Sequence, residues 1–196
     1  MVMHLRVLSI NGGGIKGLMP AKILDYISKQ SGKNITELFD FVIGTSIGGI
    51  LASAYTTPSS LGSKIPKYNS TEILKIIEEK GSMIFSNPND GFFIDKYSRE
   101  GIDKFLEQHL KVNGTDIALT DTIIPIALTA QNNVNNIPQI WSSCSKQFSG
   151  YLLKDVAGAT SAAPTYFGPK YIPANNTSTP CDQTKFIEKM VNVFMN

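Results

Sequence analysis

Residues 5–55 repeat one pattern twice: a short apolar run, a turn built on small residues, then a helix-like segment. Leu5–Ile10 (LRVLSI) runs into Asn11-Gly12-Gly13-Gly14. Gly17–Gln30 then reads as a helix, with Pro20 in its first turn and Met19, Ile23 and Ile27 along one face. Asn34-x-x-Glu37 has the spacing of a helix start, Asp40–Gly44 (DFVIG) is a second apolar run, and Ser46–Tyr55 is a small-residue helical segment. This alternation predicts an α/β fold with a parallel sheet and helices packed on it.

The remaining chain extends the pattern. Thr56–Asn69 is rich in Ser, Pro and Lys and reads as a surface connection. Ser70 is placed to cap a helix with Ile73, Leu74, Ile76 and Ile77 inward and Glu72, Lys75, Glu78 and Glu79 outward. Ser98–Leu110 predicts a second amphipathic helix on Ile102, Phe105, Leu106 and Leu110. Ile123–Ala130 and Ile137–Ser142 read as strands joined by the Asn132–Asn136 turn, and Ala157–Ala163 as a small-residue helix end. Phe41–Ser63 carries no charge, but its hydroxyls, Gly48-Gly49 and Pro58 suit a buried strand and helix better than a membrane span.

Composition excludes several classes. With 42% hydrophobic and 17% charged residues the chain has the means to bury a core. A net charge of +2 gives no electrostatic footprint for nucleic acid. Two cysteines, Cys144 and Cys181, supply neither a disulfide framework nor a Cys-only zinc site. The N-terminus lacks the regions of a signal peptide, so the expected location is cytoplasmic or peripheral at a membrane.

Gly44-Thr45-Ser46-Ile47-Gly48 matches G-x-S-x-G between an apolar strand and a helix. Such a turn needs small flanks because its central residue is held in a strained conformation, and the strain presents the serine at the sheet edge. The amide of Ile47 would then face an oxyanion. The plainer alternative is a glycine-flanked turn between packed elements.

Gly12-x-Gly14-x-x-Gly17 admits three readings. It satisfies the dinucleotide fingerprint, but Asp40, the acidic residue at about the right distance, precedes its strand instead of ending it. A P-loop is excluded, because Leu18 follows Gly17 where Lys is required. In the third reading the amides of Gly12, Gly13 and Gly14 form an oxyanion hole. Parallel strands present their following loops at one edge, which would bring this loop to Ser46 and favour acyl transfer over hydride transfer.

A serine nucleophile needs a base. His4 precedes the first strand and His109 continues an apolar helix face, so a Ser-Asp-His triad is not expected and a Ser–carboxylate dyad is left. Here the chain resembles the patatin-like phospholipase family. The resemblance rests on NGGGIKG at Asn11–Gly17, GTSIGG at Gly44–Gly49 and ATSAAPTYF at Ala159–Phe167, in that order and spacing, and extends from Leu5 to Ile172. It implies a three-layer α/β/α fold with a mainly parallel central sheet. Residues 1–172 would form the patatin-like domain, incomplete at its C-terminal end, and residues 173–196 a divergent polar tail.

The resemblance also implies hydrolysis of lipid and phospholipid acyl esters by a Ser–Asp dyad, with no metal or other cofactor. Ser46 would be the nucleophile, the amides of Gly12, Gly13, Gly14 and Ile47 the oxyanion hole, and Gly17, Gly44 and Gly48 motif glycines. Lys16 matches a basic family position, and Asn11 stands where many members carry Asp.

One departure stands out. The family's catalytic Asp opens an Asp-Gly-Gly/Ala motif, and no Asp-Gly follows Phe167. Lys185-Phe186-Ile187-Glu188 resembles the strand entry, so Glu188 is the candidate substitute carboxylate, one methylene longer. A catalytically impaired chain that binds lipid or a partner without turnover is therefore the alternative. Lipid substrates imply transient contact with a membrane surface, for which Phe85, Phe92 and Phe93 are candidate rim residues. Oligomeric state leaves no signal in the sequence.

Overall fold

The computed structural model describes residues 4–84, 96–133 and 136–172. The chain opens with β1 (Val7–Ile10), a 3-10 turn over Gly14–Gly17, and α1 (Leu18–Ser31). Leu5 and Arg6 stay outside β1: Leu5 is 51% exposed, and the Arg6 amide donates to the Asp40 carboxylate at 2.9 Å instead of to a strand. The short α2 (Ile35–Leu38) follows Asn34, whose amide donates to Glu37 Oε2 at 2.8 Å, as the Asn-x-x-Glu spacing predicts.

Next come β2 (Phe41–Thr45) and α3 (Ile47–Thr56), which divide the charge-free stretch into a strand and a helix. Among the described residues no helix is long and apolar enough to cross a membrane. The connection after α3 begins buried, with Thr57 fully covered and its hydroxyl donating to the Ser53 carbonyl at 2.8 Å; only from Ser59 does it reach the surface.

Helix α4 spans Ser70–Ile84, and its cap lies one residue earlier than expected. Asn69 exchanges hydrogen bonds with Glu72, amide to carboxylate at 2.8 Å and Glu72 amide to Asn69 Oδ1 at 2.9 Å, while the Ser70 hydroxyl is buried. Helix α5 (Arg99–His109) is capped by Ser98 and buries Ile102, Phe105 and Leu106, as its periodicity predicts. A two-stranded ribbon, β3 (Lys111–Val112) and β4 (Thr115–Asp116), leads to β5 (Ile126–Asn132), β6 (Ile137–Ser142) and α6 (Leu153–Thr160). Strand β5 starts after Pro125, which has no amide to give the ladder, so Ile123 and Ile124 fall outside it.

The main sheet has the order β1-β2-β5-β6, parallel across its first two pairings and antiparallel at the last. It is the expected mainly parallel α/β sheet, with the β5–β6 hairpin as its antiparallel edge. Helix α3 packs across β1, β2 and β5, and α6 lies against β5 and α3. Ile50, Leu51, Val42, Ile126 and Leu128 are all nearly inaccessible at this junction.

One expectation is reversed. Met19, Ile23 and Ile27 point away from the core, at 66%, 56% and 37% exposure, and α1 instead buries Ala21, Leu24 and Asp25. The helix packs chiefly on α4 instead of lying along the sheet. Asp25 tolerates its burial because Lys29 Nζ and Thr71 Oγ1 both donate to it at 2.6 Å.

Candidate active site

Register decides which loops meet. Ile10, the last residue of β1, pairs with Gly44 of β2, so the glycine loop and the Thr45-Ser46 turn leave the sheet at the same edge. A Cβ on Gly12 would lie 3.1 Å from the Ser46 Cβ and 3.2 Å from the Thr45 carbonyl oxygen. A Cβ on Gly48 would run into the Ile10 carbonyl oxygen, and one on Gly17 into the Ile47 side chain. The two glycine motifs therefore press against each other, backbone on backbone.

Gly13 and Gly14 adopt φ of 151° and 56°, in the region that favours glycine. Ser46 has φ 55° and ψ −126°, a conformation that costs a non-glycine residue on the order of 1–3 kcal/mol. It is the strained turn that the G-x-S-x-G pattern predicts. The Ser46 amide donates to Thr160 Oγ1 at 2.9 Å, which helps to hold the turn. The Thr45 hydroxyl bonds that of Thr129 at 2.7 Å and ties the end of β2 to β5.

Ser46 opens α3, whose first amides, Ile47 among them, have no carbonyl to meet within the helix. Gly13, Gly14, Ser46 and Ile47 together line a cavity of about 520 Å³. Its walls are mostly apolar, with Ile15, Ile50, Ile84, Ile102, Tyr97, Tyr166 and Phe167 beside Ser161 and Ala163. Gly12 is exposed and lies against Ser46 without lining the cavity.

No carboxylate or imidazole lines the cavity among the described residues. Glu188 and Asp182 lie outside the described residues, as do Phe85, Phe92 and Phe93. His109 is not among the residues that line the cavity. It is 5% exposed, packs on the Phe105 ring at 4.7 Å, and faces Tyr68 Oη from Nδ1 at 3.2 Å. Burial first, and then Lys80 and Lys67, push its pKa down to about 4, so it is a neutral core histidine.

The contact of Thr160 with the Ser46 turn is one that pattern reading misses. Its block, ATSAAPTYF, is visible, but nothing in local spacing says which of its hydroxyls meets a turn 114 residues earlier. Gly49 makes room for it: a Cβ there would lie 2.6 Å from Thr160 Cγ2. The end of α6 is held in turn by Arg99, which donates to the carbonyls of Gly158 and Gly168, each at 3.1 Å, and to Asp103 at 2.9 Å.

The family model for patatin-like phospholipase matches residues 8–187. Patatin group D-3 of Solanum tuberosum is 34% identical over 179 residues, covering 86% of this chain and 45% of its own length. Patatin-1-Kuras 2 of the same plant is 33% identical over 190 residues, covering 92% of this chain and 48% of its own. The chain thus spans about half the length of the curated relatives it matches. Among solved structures, the full-length ExoU of the Pseudomonas aeruginosa type III secretion system, in complex with SpcU, aligns with TM-score 0.46 at 14% identity over 96% of this chain and 47% of that one. VipD from Legionella pneumophila aligns with TM-score 0.41 at 12% identity over 90% of this chain and 45% of that one. With a family model covering most of its residues and relatives a third identical along nearly its whole length, the chain belongs to the patatin-like phospholipase family.

Proposed function

We propose that this chain carries the nucleophile and oxyanion hole of a lipid acyl hydrolase of phospholipase A type. The observation that carries the proposal is the approach of the glycine loop to Ser46, with Gly13, Gly14, Ser46 and Ile47 lining one largely apolar cavity. Ser46 Oγ attacks the ester carbonyl carbon as its proton passes to a carboxylate, and the tetrahedral oxyanion accepts hydrogen bonds from the glycine-loop amides and Ile47. Collapse expels the alcohol, which takes the proton back, and leaves an acyl-serine. Water, deprotonated by the same carboxylate, then releases the fatty acid. Each fixed amide is worth on the order of 3 kcal/mol at the transition state. The cavity walls suit an acyl chain, and the reaction calls on no metal or other cofactor.

Glu188 is the proposed carboxylate. Its longer side chain displaces the acceptor, and misplacement of about 1 Å costs on the order of a hundredfold in rate. The lack of an Asp-Gly motif after Phe167 supports a second reading, in which the chain binds lipid at this cleft with little turnover.

A serine-directed fluorophosphonate tests both. Labelling that is lost in Ser46→Ala, with fatty acid released from phosphatidylcholine vesicles and abolished by the same substitution, supports the hydrolase. Labelling without release supports the binding reading. Labelling unchanged in Ser46→Ala overturns the assignment of the nucleophile.

A further inference from the structure

Helix α1 carries an apolar stripe that nothing among the described residues covers. At about 100° per residue, Met19, Ile23, Tyr26 and Ile27 fall within an arc of roughly 100°, on the side opposite the buried Ala21, Leu24 and Asp25. Their exposures are 66%, 56%, 64% and 37%. The stripe leads toward the site: Ile15, four residues before Met19 and 57% exposed in the turn before α1, also lines the Ser46 cavity.

The exposed charges that α1 and the turn before it set beside the stripe are basic, and two of these lysines also form ion pairs. The outward charges of α1 are Lys22 and Lys29, both on one border of the stripe, and Lys16 is exposed beside Ile15. The helix's one acid, Asp25, is turned into the core, where it pairs with Lys29 at 2.6 Å; Lys22 reaches Glu78 on α4 at 3.4 Å. An apolar face with a tyrosine in it and lysines along its border is the pattern of a helix that lies in the plane of a lipid–water interface. A second protein would match the apolar stripe equally well, but it gives no reason for the stripe to lead toward an acyl-sized cavity.

We propose that α1 is the surface by which this protein rests on a membrane bearing anionic lipid, with Ile15 bridging the bilayer and the Ser46 cavity. The proposal rests on the lipid-substrate reading above, and names the face that meets the lipid. In that orientation an acyl chain leaving the bilayer passes from the stripe directly to the cavity mouth.

The test is sedimentation of the full chain with vesicles, made in Ser46→Ala protein so that partition is read without turnover. Vesicles of phosphatidylcholine with phosphatidylglycerol are compared with phosphatidylcholine alone. The double substitution Met19→Ser with Ile23→Ser is expected to lower partition by about tenfold or more, with an unchanged thermal midpoint. Lys22→Gln is expected to lower it severalfold on the anionic vesicles only. With Ser46 intact, cleavage of a soluble short-chain ester is expected to be equal in the parent chain and the Met19/Ile23 variant. That separates a failure of this proposal from a failure of the hydrolase reading, in which neither protein cleaves the ester. Unchanged partition in the double variant overturns the proposal. So does a dimer that the same substitutions convert to a monomer while partition holds, since the stripe would then join two copies of the chain.

Discussion

The backbone amide of Ser46 donates to the side-chain oxygen of Thr160 across 2.9 Å. Ser46 is held in an unfavourable backbone conformation, at φ 55° and ψ −126°. An orphaned amide at the same residue would add the cost of an unmet donor. Thr160→Val keeps the shape and removes the acceptor. The expected result is a loss of about 1–3 kcal/mol in stability. Fluorophosphonate labelling slows by about tenfold to a hundredfold through misplacement of Oγ. Thr160→Ser restores both. A purely structural role would lower the thermal midpoint of Thr160→Val and leave the labelling rate of the folded fraction unchanged.

Three glycines separate close approach from conformational freedom. Gly12→Ala sets a methyl 3.1 Å from the Ser46 Cβ, a contact that needs a shift of a few tenths of an ångström. It is expected to cut the labelling rate by about tenfold at modest cost in stability. Gly48→Ala drives its methyl into the Ile10 carbonyl, which belongs to the sheet and cannot move aside, so it is expected to lose about 3 kcal/mol or more. Gly81→Ala meets nothing nearer than Ile15 Cδ1 at 3.9 Å inside α4, and is expected to gain about 0.5–1 kcal/mol from helix propensity. Chemical denaturation of the three variants gives the order directly.

His109 predicts a pH dependence. Its folded pKa, about 4, lies below the 6.5 of an unhindered imidazole, so between these values the unfolded chain binds the extra proton. The contribution of its neutral state is complete above pH 6.5, declines as pH falls, and is gone below about pH 4. Across that window stability drops by up to a few kcal/mol. His109→Gln is expected to flatten the slope. Asp40, held near 2 mainly by its hydrogen bond from the Arg6 side chain, loses its contribution only as pH falls from 3.8 through about 2, so the two groups act in separate ranges. A wild-type slope retained in His109→Gln would assign the window to other groups.

Much of this architecture is legible because the first half of the chain is locally consistent. The apolar runs end on glycine turns, and Asn34-x-x-Glu37 and Ser98 carry their own caps. The G-x-S-x-G turn likewise announces a strained residue, and Ser46 has the positive φ it requires. Two features were not legible, and for physical reasons. Which face of α1 is buried depends on what it packs against; periodicity marks an apolar stripe but not whether the stripe is core or surface, and here the small Ala21 won the interior. The Ser46–Thr160 bond joins residues that only the completed fold brings together. Glu188, the proposed carboxylate, lies outside the described residues.

The most direct test of the account is a crystal structure of the chain with a fluorophosphonate bound covalently at Ser46. The phosphoryl oxygen stands in for the oxyanion of an ester's tetrahedral intermediate. The account predicts that it accepts hydrogen bonds, at about 3 Å, from at least one glycine-loop amide and from the Ile47 amide. A phosphoryl oxygen turned to solvent, with the Gly12–Gly14 amides beyond its reach, would contradict it.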